Sequence, residues 1–125
     1  MQIVLDLPFP PSENHLWGIA RGRLVNSAKY KAWKKESDGM FYVQFVRKKR
    51  PEPLKNFTVS IVLNERRRIP GVNDSQNYLK APIDYCQRAG LVRNDADCDG
   101  GSWSWGHAPT GCRVVLTGEP AAAKT

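Results

Sequence analysis

Between Asn56 and Asn64 every second residue is a large apolar one: Phe57, Val59, Ile61 and Leu63, with Thr58, Ser60 and Val62 between them. A period of two is the mark of a strand with one face against a core. A strand of this kind needs sheet neighbours beside it and a cover over its apolar face. The chain is 125 residues long, which sets an expectation of one domain.

The flanking segments supply the rest. Ile3, Leu5 and Leu7 alternate in a second strand that Pro8, Pro10 and Pro11 stop. A loop from Ser12 to Gly22 carries Trp17, and Arg21–Val25 reads as a short basic hairpin-like piece. Ser27 is placed to cap a helix running to about Lys49, with Tyr30, Trp33, Ser37, Met40, Phe41 and Gln44 on or near one side. Asp74 or Ser75 caps a second helix to about Ala89, with the stripe Leu79, Ile83, Cys86 and the stop Gly90. Pro82 inside it implies a kink or a helix that begins in two steps. Gly100-Gly101 reads as a loop, Trp103 and Trp105 as part of a strand, and Arg113–Thr117 as a last strand. The expectation is an α+β fold: one small domain over 1–118, a mixed β-sheet with two main helices packed on it, and a flexible tail over 119–125. At least two of Trp17, Trp103 and Trp105 are expected to fill core space.

No apolar stretch approaches the ~18 residues of a membrane span, and the N-terminus has no basic region before an apolar run. Cys86, Cys98 and Cys112 form no C-x-x-C, and Cys98, His107 and Cys112 match no standard zinc spacing. The expected setting is the cytoplasm, with free thiols and no membrane partner.

Charge is more informative. Lys and Arg number 19 against 12 Asp and Glu, a net +7, which points to an anionic partner and first to nucleic acid. Most of the cations fall in three clusters: Lys29, Lys31, Lys34 and Lys35; Arg47, Lys48, Lys49 and Arg50; and Arg66, Arg67 and Arg68. The acids instead gather at Asp74, Asp84, Asp95, Asp97 and Asp99. Cations that hold a polyanion beside carboxylates that hold a divalent metal is a coherent pairing. A helix over 76–89 is ~21 Å long at 1.5 Å per residue, and 91–95 extended returns ~17 Å. Asp95 is therefore expected beside Asp74 at the helix start, with Lys80 pointing to the same place.

Asp74-Ser75-Gln76-Asn77-Tyr78-Leu79-Lys80, then Ile83-Asp84, Ala89-Gly90-Leu91-Val92 and Asn94-Asp95, resemble the RusA family of Holliday junction resolvases, whose pattern is D-x-D-N-x-x-K opening a helix. Pro10-Pro11-Ser12-Glu13-Asn14-His15-Leu16-Trp17 is similar to the family's P-P-S-x-N-x-x-W opening. The likeness runs in order over most of the chain. It implies a homodimeric, magnesium-dependent endonuclease of phage or prophage type, acting in the bacterial cytoplasm on four-way DNA junctions. Manganese is expected to substitute, and no small-molecule cofactor is implied.

Carried over residue by residue, Asp74 and Asp95 match metal-binding aspartates and Lys80 the assisting lysine. Gln76 stands where the family has a second aspartate, Asn94 where it has the first of a D-D pair, and Asn73 where a basic residue is common. The resemblance thus implies Asp74, Lys80 and Asp95 as catalytic, Asp74, Asp95 and Gln76 around the metal, and Arg66, Arg67, Arg68, Lys31, Lys34, Lys35, Lys48 and Lys49 on DNA. Gln76 offers a neutral oxygen and removes one charge. The alternative is a junction-binding protein of RusA-like shape whose cleavage is impaired or lost for that reason.

Overall fold

The computed structural model describes residues 1–45 and 51–121. In chain order the elements are β1 (Gln2–Pro8), β2 (Trp17–Ala20), β3 (Arg23–Asn26), α1 (Ala28–Phe45), β4 (Leu54–Asn64), α2 (Lys80–Arg88), β5 (Cys98–Gly106) and β6 (Gly111–Pro120). Short 3-10 turns at Glu13–His15, Glu65–Arg67, Ser75–Tyr78 and Asp95–Asp97 join them. The fold is α+β, a mixed four-stranded sheet in the order β1-β6-β4-β5 with two helices, plus a separate hairpin of β2 and β3.

The alternating strand lies inside the sheet, antiparallel to β6 on one side and parallel to β5 on the other. Phe57, Val59, Ile61 and Leu63 are all buried, as their period requires. They join Leu5 and Leu7 of β1, Val114 and Leu116 of β6, Tyr30 and Trp33 of α1, and Tyr85 and Cys86 of α2 in one core. Each such apolar side chain contributes about 1.5–3 kcal/mol on burial.

Ser27 caps α1: its Oγ accepts a hydrogen bond of 3.0 Å from the Tyr30 amide. Tyr30, Trp33 and Ser37 are the buried residues of that helix, three and four positions apart, and the Trp33 indole donates to the Pro8 carbonyl at 3.0 Å. The described part of α1 ends at Phe45, so its expected continuation to Lys49 lies outside the described residues.

The second helix begins in two steps. A 3-10 turn over Ser75–Tyr78 precedes α2, and Pro82 sits in the first turn of α2, where a missing N–H leaves few intrahelical bonds unmade. Its end is a Schellman motif: the Gly90 amide donates to the Gln87 carbonyl and the Leu91 amide to the Cys86 carbonyl, with Gly90 at φ 77°.

Three expectations fail here. Gly100-Gly101 is strand rather than loop, inside β5. A Cβ on Gly101 would stand 2.5 Å from the Val59 carbonyl oxygen, so the glycine permits close strand pairing. The last strand begins at Gly111 and continues through Pro120, where Glu119 and Pro120 pair with Lys55 and Leu54, so these two residues of the expected tail over 119–125 belong to the sheet; residues 122–125 lie outside the described ones. Of the three loop and edge tryptophans only Trp105 packs against the core; Trp17 and Trp103 remain 45% and 44% exposed.

Candidate nucleic-acid interface and acidic cleft

Parallel neighbours require a long crossover, and the β4-to-β5 connection holds most of the candidate site residues. β4 runs out into Arg66, Arg67 and Arg68, all exposed. The loop that follows is stapled by Asn73, whose Oδ1 accepts from the Ile69 amide at 2.8 Å and whose amide group donates to the Arg67 carbonyl at 2.9 Å. That pair of hydrogen bonds gives Asn73 a structural role at the position where the resemblance expects a cation. Asp74 caps the next turn, accepting from the Gln76 amide at 3.1 Å.

One open cleft of about 500 Å³ is lined by Gln76, Lys80, Asp84 and Asp95, with Glu13, Leu79, Ile83, Cys98 and Trp103 completing its wall. Lys80 Nζ lies 3.3 Å from Asp84 Oδ2, one helical turn on. Both side chains are substantially exposed, so this pair is weak and open to exchange with a ligand. The structure thus places Gln76, Lys80 and Asp95 around one cleft together with Asp84.

Asp74 does not line that cleft. It lines the adjoining hollow with Arg68, Asn73, Ser75 and Trp105. Asp95 shares the first cleft with Gln76 and Lys80 from the start of the second helix and is also tied to that helix's last turn. The Asp95 amide donates to Gln87 Oε1 at 2.9 Å, which fastens it near the far end of α2. Just upstream, Val92 forms a parallel bridge with Leu54, and the Leu54 amide and carbonyl bond Leu91 and Arg93. From there the chain runs parallel to β4 into β5. Asn94 then caps its own turn, its Oδ1 accepting from the Ala96 amide, and Asp97 pairs with Arg93 at 3.0 Å. Asp99 falls at the irregularity between the Phe57–Cys98 and Thr58–Gly100 pairs and is exposed.

The donor oxygens in the cleft are carboxylate and amide oxygens, a set that suits magnesium, which takes one or two carboxylates and completes its shell with water and phosphate. Among the described residues no three of His, Cys, Asp and Glu gather closely enough to form a metal cage on their own.

Cations flank this ground on two sides. On one, the Arg67 guanidinium lies 4.4 Å from the centre of the Phe9 ring, which stacks with Trp105 and packs on Tyr78, and Arg68 shares the hollow of Asp74. On the other, the Lys34 ammonium sits 4.4 Å from the Tyr30 ring. Burial, then the nearby charges of Arg88 and Lys31, hold the Lys34 pKa below its ordinary value. The Tyr30 phenol is pushed up by burial and by the Asp84 carboxylate. Those influences place Lys31, Lys34 and Arg88 near one another, with Arg88 paired to Asp38 at 3.4 Å and Asp84 close by. Lys35 is exposed on the same helix; Lys48 and Lys49 lie outside the described residues.

The sequence did not point to Gln87, Glu13 or Trp103 as members of this site. Gln87 occupies an ordinary solvent position of a helix, and only the fold aims it at Asp95. No protein-family model matches the chain, and no curated protein matches it. Among the described residues, no helix is long and apolar enough to cross a membrane.

Proposed function

We propose that the protein is a metal-dependent endonuclease of the RusA kind that resolves four-way DNA junctions as a homodimer in the bacterial cytoplasm. The observation that carries this reading is the cleft shared by Gln76, Lys80, Asp84 and Asp95 between two cationic flanks. A DNA strand that spans from the Arg67–Arg68 side to the Lys31–Lys34–Arg88 side crosses the acids on its way. Asp95 and Gln76 would hold magnesium, with Asp74 adding a carboxylate from the adjoining hollow. Bound magnesium, or manganese in its place, supplies a water of lowered pKa and offsets phosphate charge.

The chain's own groups do the rest. Arg66, Arg67, Arg68, Lys31, Lys34 and Lys35 hold phosphates and set the register of the strand. Asp84 steers Lys80, whose ammonium faces the cleft and neutralises charge that develops on the phosphate. Gln87 holds the Asp95 turn in place through its backbone amide. A two-fold dimer presents two such clefts to opposed strands, which paired incision demands.

The test is a synthetic four-way junction with magnesium. Paired nicks are expected, and Asp74→Asn or Asp95→Asn should remove them while binding survives. Junctions that stay intact across magnesium and manganese concentrations refute the endonuclease.

A second reading is favoured by one observation: Asp74 lines a different hollow from Asp95, and Gln76 brings no charge to the cleft. In it the protein binds junctions without cutting them well. Gln76→Asp separates the two, since a large gain in cleavage selects the second reading and an unchanged rate selects the first.

A further inference from the structure

Among the described residues the hairpin of β2 and β3 pairs with no other strand, and what it exposes is unusual. Ile19 is 80% exposed and Leu24 70%, and the two stand directly opposite each other in the ladder. Strand alternation puts Trp17, Ile19 and Leu24 on one face, and Trp17 is itself nearly half exposed. At the tip Arg21 adopts φ 54°, a left-handed conformation that a two-residue hairpin turn demands and that arginine rarely takes. A soluble surface has little reason to raise an isoleucine and a leucine on such a turn unless something covers them.

The charge around the hairpin says what that is. From Asn14 to Lys35 the chain carries Arg21, Arg23, Lys29, Lys31, Lys34 and Lys35 and no acid. The hairpin is also rooted at the acidic cleft. Glu13, in the turn just before β2, lines the cleft, and Trp17 meets Tyr30 edge-on at 6.1 Å beneath the Lys34 ammonium. An apolar tip ringed by cations, fixed beside a site crossed by a polyanion, complements bases that have come unstacked within a phosphate backbone. Leucine and isoleucine are among the side chains that proteins wedge between base steps.

We propose that the β2–β3 hairpin is a wedge, which inserts Ile19 and Leu24 at the branch point of the DNA while Arg21 and Arg23 hold the phosphates on either side. This rests on the nucleic-acid reading of the cleft and adds a determinant of branch recognition that lies outside it. A membrane surface is the less suitable occupant, because three apolar side chains on a short hairpin offer far less area than an interfacial anchor.

The experiment uses the full-length protein in calcium, so that cutting does not intervene. A four-way junction carries 2-aminopurine at the crossing, and a linear duplex of the same sequence carries it at the matching base. The wild type is expected to raise fluorescence on the junction only. Ile19→Ser/Leu24→Ser, both at exposed positions, should abolish that rise and weaken junction binding about tenfold, while duplex binding changes less than twofold. Arg21→Ala/Arg23→Ala should weaken both substrates and flatten the slope of log affinity against log salt by about 2.

A fluorescence rise that survives in the serine variant overturns the wedge, as does equal weakening on junction and duplex. A loss of self-association by sedimentation equilibrium with the branch signal intact assigns the face to a second copy and overturns it too. So does hairpin-dependent binding to phosphatidylglycerol vesicles with that signal intact. Branch opening without any cleavage in magnesium leaves the wedge standing and removes the endonuclease. Cleavage with normal opening by the serine variant removes the wedge alone.

Discussion

Gln44 shows how much one side chain can do at a sheet edge. β1 is an edge strand, and Asp6 would leave its outward amide and carbonyl unpaired. The Gln44 amide supplies both partners: its Oε1 accepts from the Asp6 amide at 2.8 Å, and its Nε2 donates to the Asp6 carbonyl at 2.7 Å. Gln44→Ala is expected to lower stability by about 1–3 kcal/mol in urea unfolding, the range for leaving part-buried polar groups unsatisfied. An unchanged midpoint would show that water replaces it fully. The pattern of α1 placed Gln44 near the buried side, but its function was illegible, since nothing local says which strand edge a glutamine will meet. The buried thiols make a second residue-level prediction. Burial pushes Cys86 from an ordinary 9.0 up to about 12, and raises Cys112 likewise. The fold therefore holds these protons more tightly than the unfolded chain does. Their contribution is complete below about pH 9 and is lost as pH rises toward 12. Under reducing conditions, the melting temperature of the wild type should fall more steeply above pH 9 than that of Cys86→Ala/Cys112→Ala. Parallel slopes would contradict this assignment. The hydroxyl of Ser37, buried in α1, has no hydrogen-bond partner among the described residues, and its burial there has no physical account in the structure.

At the scale of elements, β4 was legible because its period of two is decided by one neighbouring face, and α1 because three- and four-residue spacing marks its buried side. The first half of β5 was not, although Trp103 and Trp105 marked the second. Two adjacent glycines ordinarily signal a turn; here Gly100 takes φ 152° in the strand, and Gly101 packs against the Val59 carbonyl on β4, a residue some forty positions away in sequence. The contrast gives a paired test. Gly101→Ala forces a Cβ against backbone and should cost about 1–3 kcal/mol, the usual range for overpacking. Gly39→Ala, in the interior of α1 with open space where its Cβ would go, should stabilise by about 0.5–1 kcal/mol. Thermal melts of the two variants should move in opposite directions. A shared direction would mean that the β4–β5 pairing relaxes to accept the methyl group. The candidate site divided in the same way. Gln76, Lys80 and Asp95 line one cleft, whereas Asp74 lines the adjoining hollow, a division that depends on how the 3-10 turn over Ser75–Tyr78 aims each side chain.

For the whole molecule the deciding feature is that positive charge lies on both sides of the acids rather than in one patch. A single patch would bind a polyanion beside the cleft; two flanks carry it across. If six of these cations meet phosphates, log affinity should fall against log salt with a slope of roughly −5. Each flank then owns a share of that slope. Arg67→Ala/Arg68→Ala should flatten it by about 2, and Lys31→Ala/Lys34→Ala/Arg88→Ala by about 3, at about 0.9 per phosphate lost. Fluorescence anisotropy of a labelled junction in calcium, titrated at several potassium chloride concentrations, measures both. The effects should add, because the flanks belong to different elements and share no partner. If only the arginine side moves the slope, the strand leaves the protein before it passes the cleft, and the carboxylates there are surface acids. If both sides move it, the phosphate chain runs over Gln76, Lys80 and Asp95, where hydrolysis requires it to be.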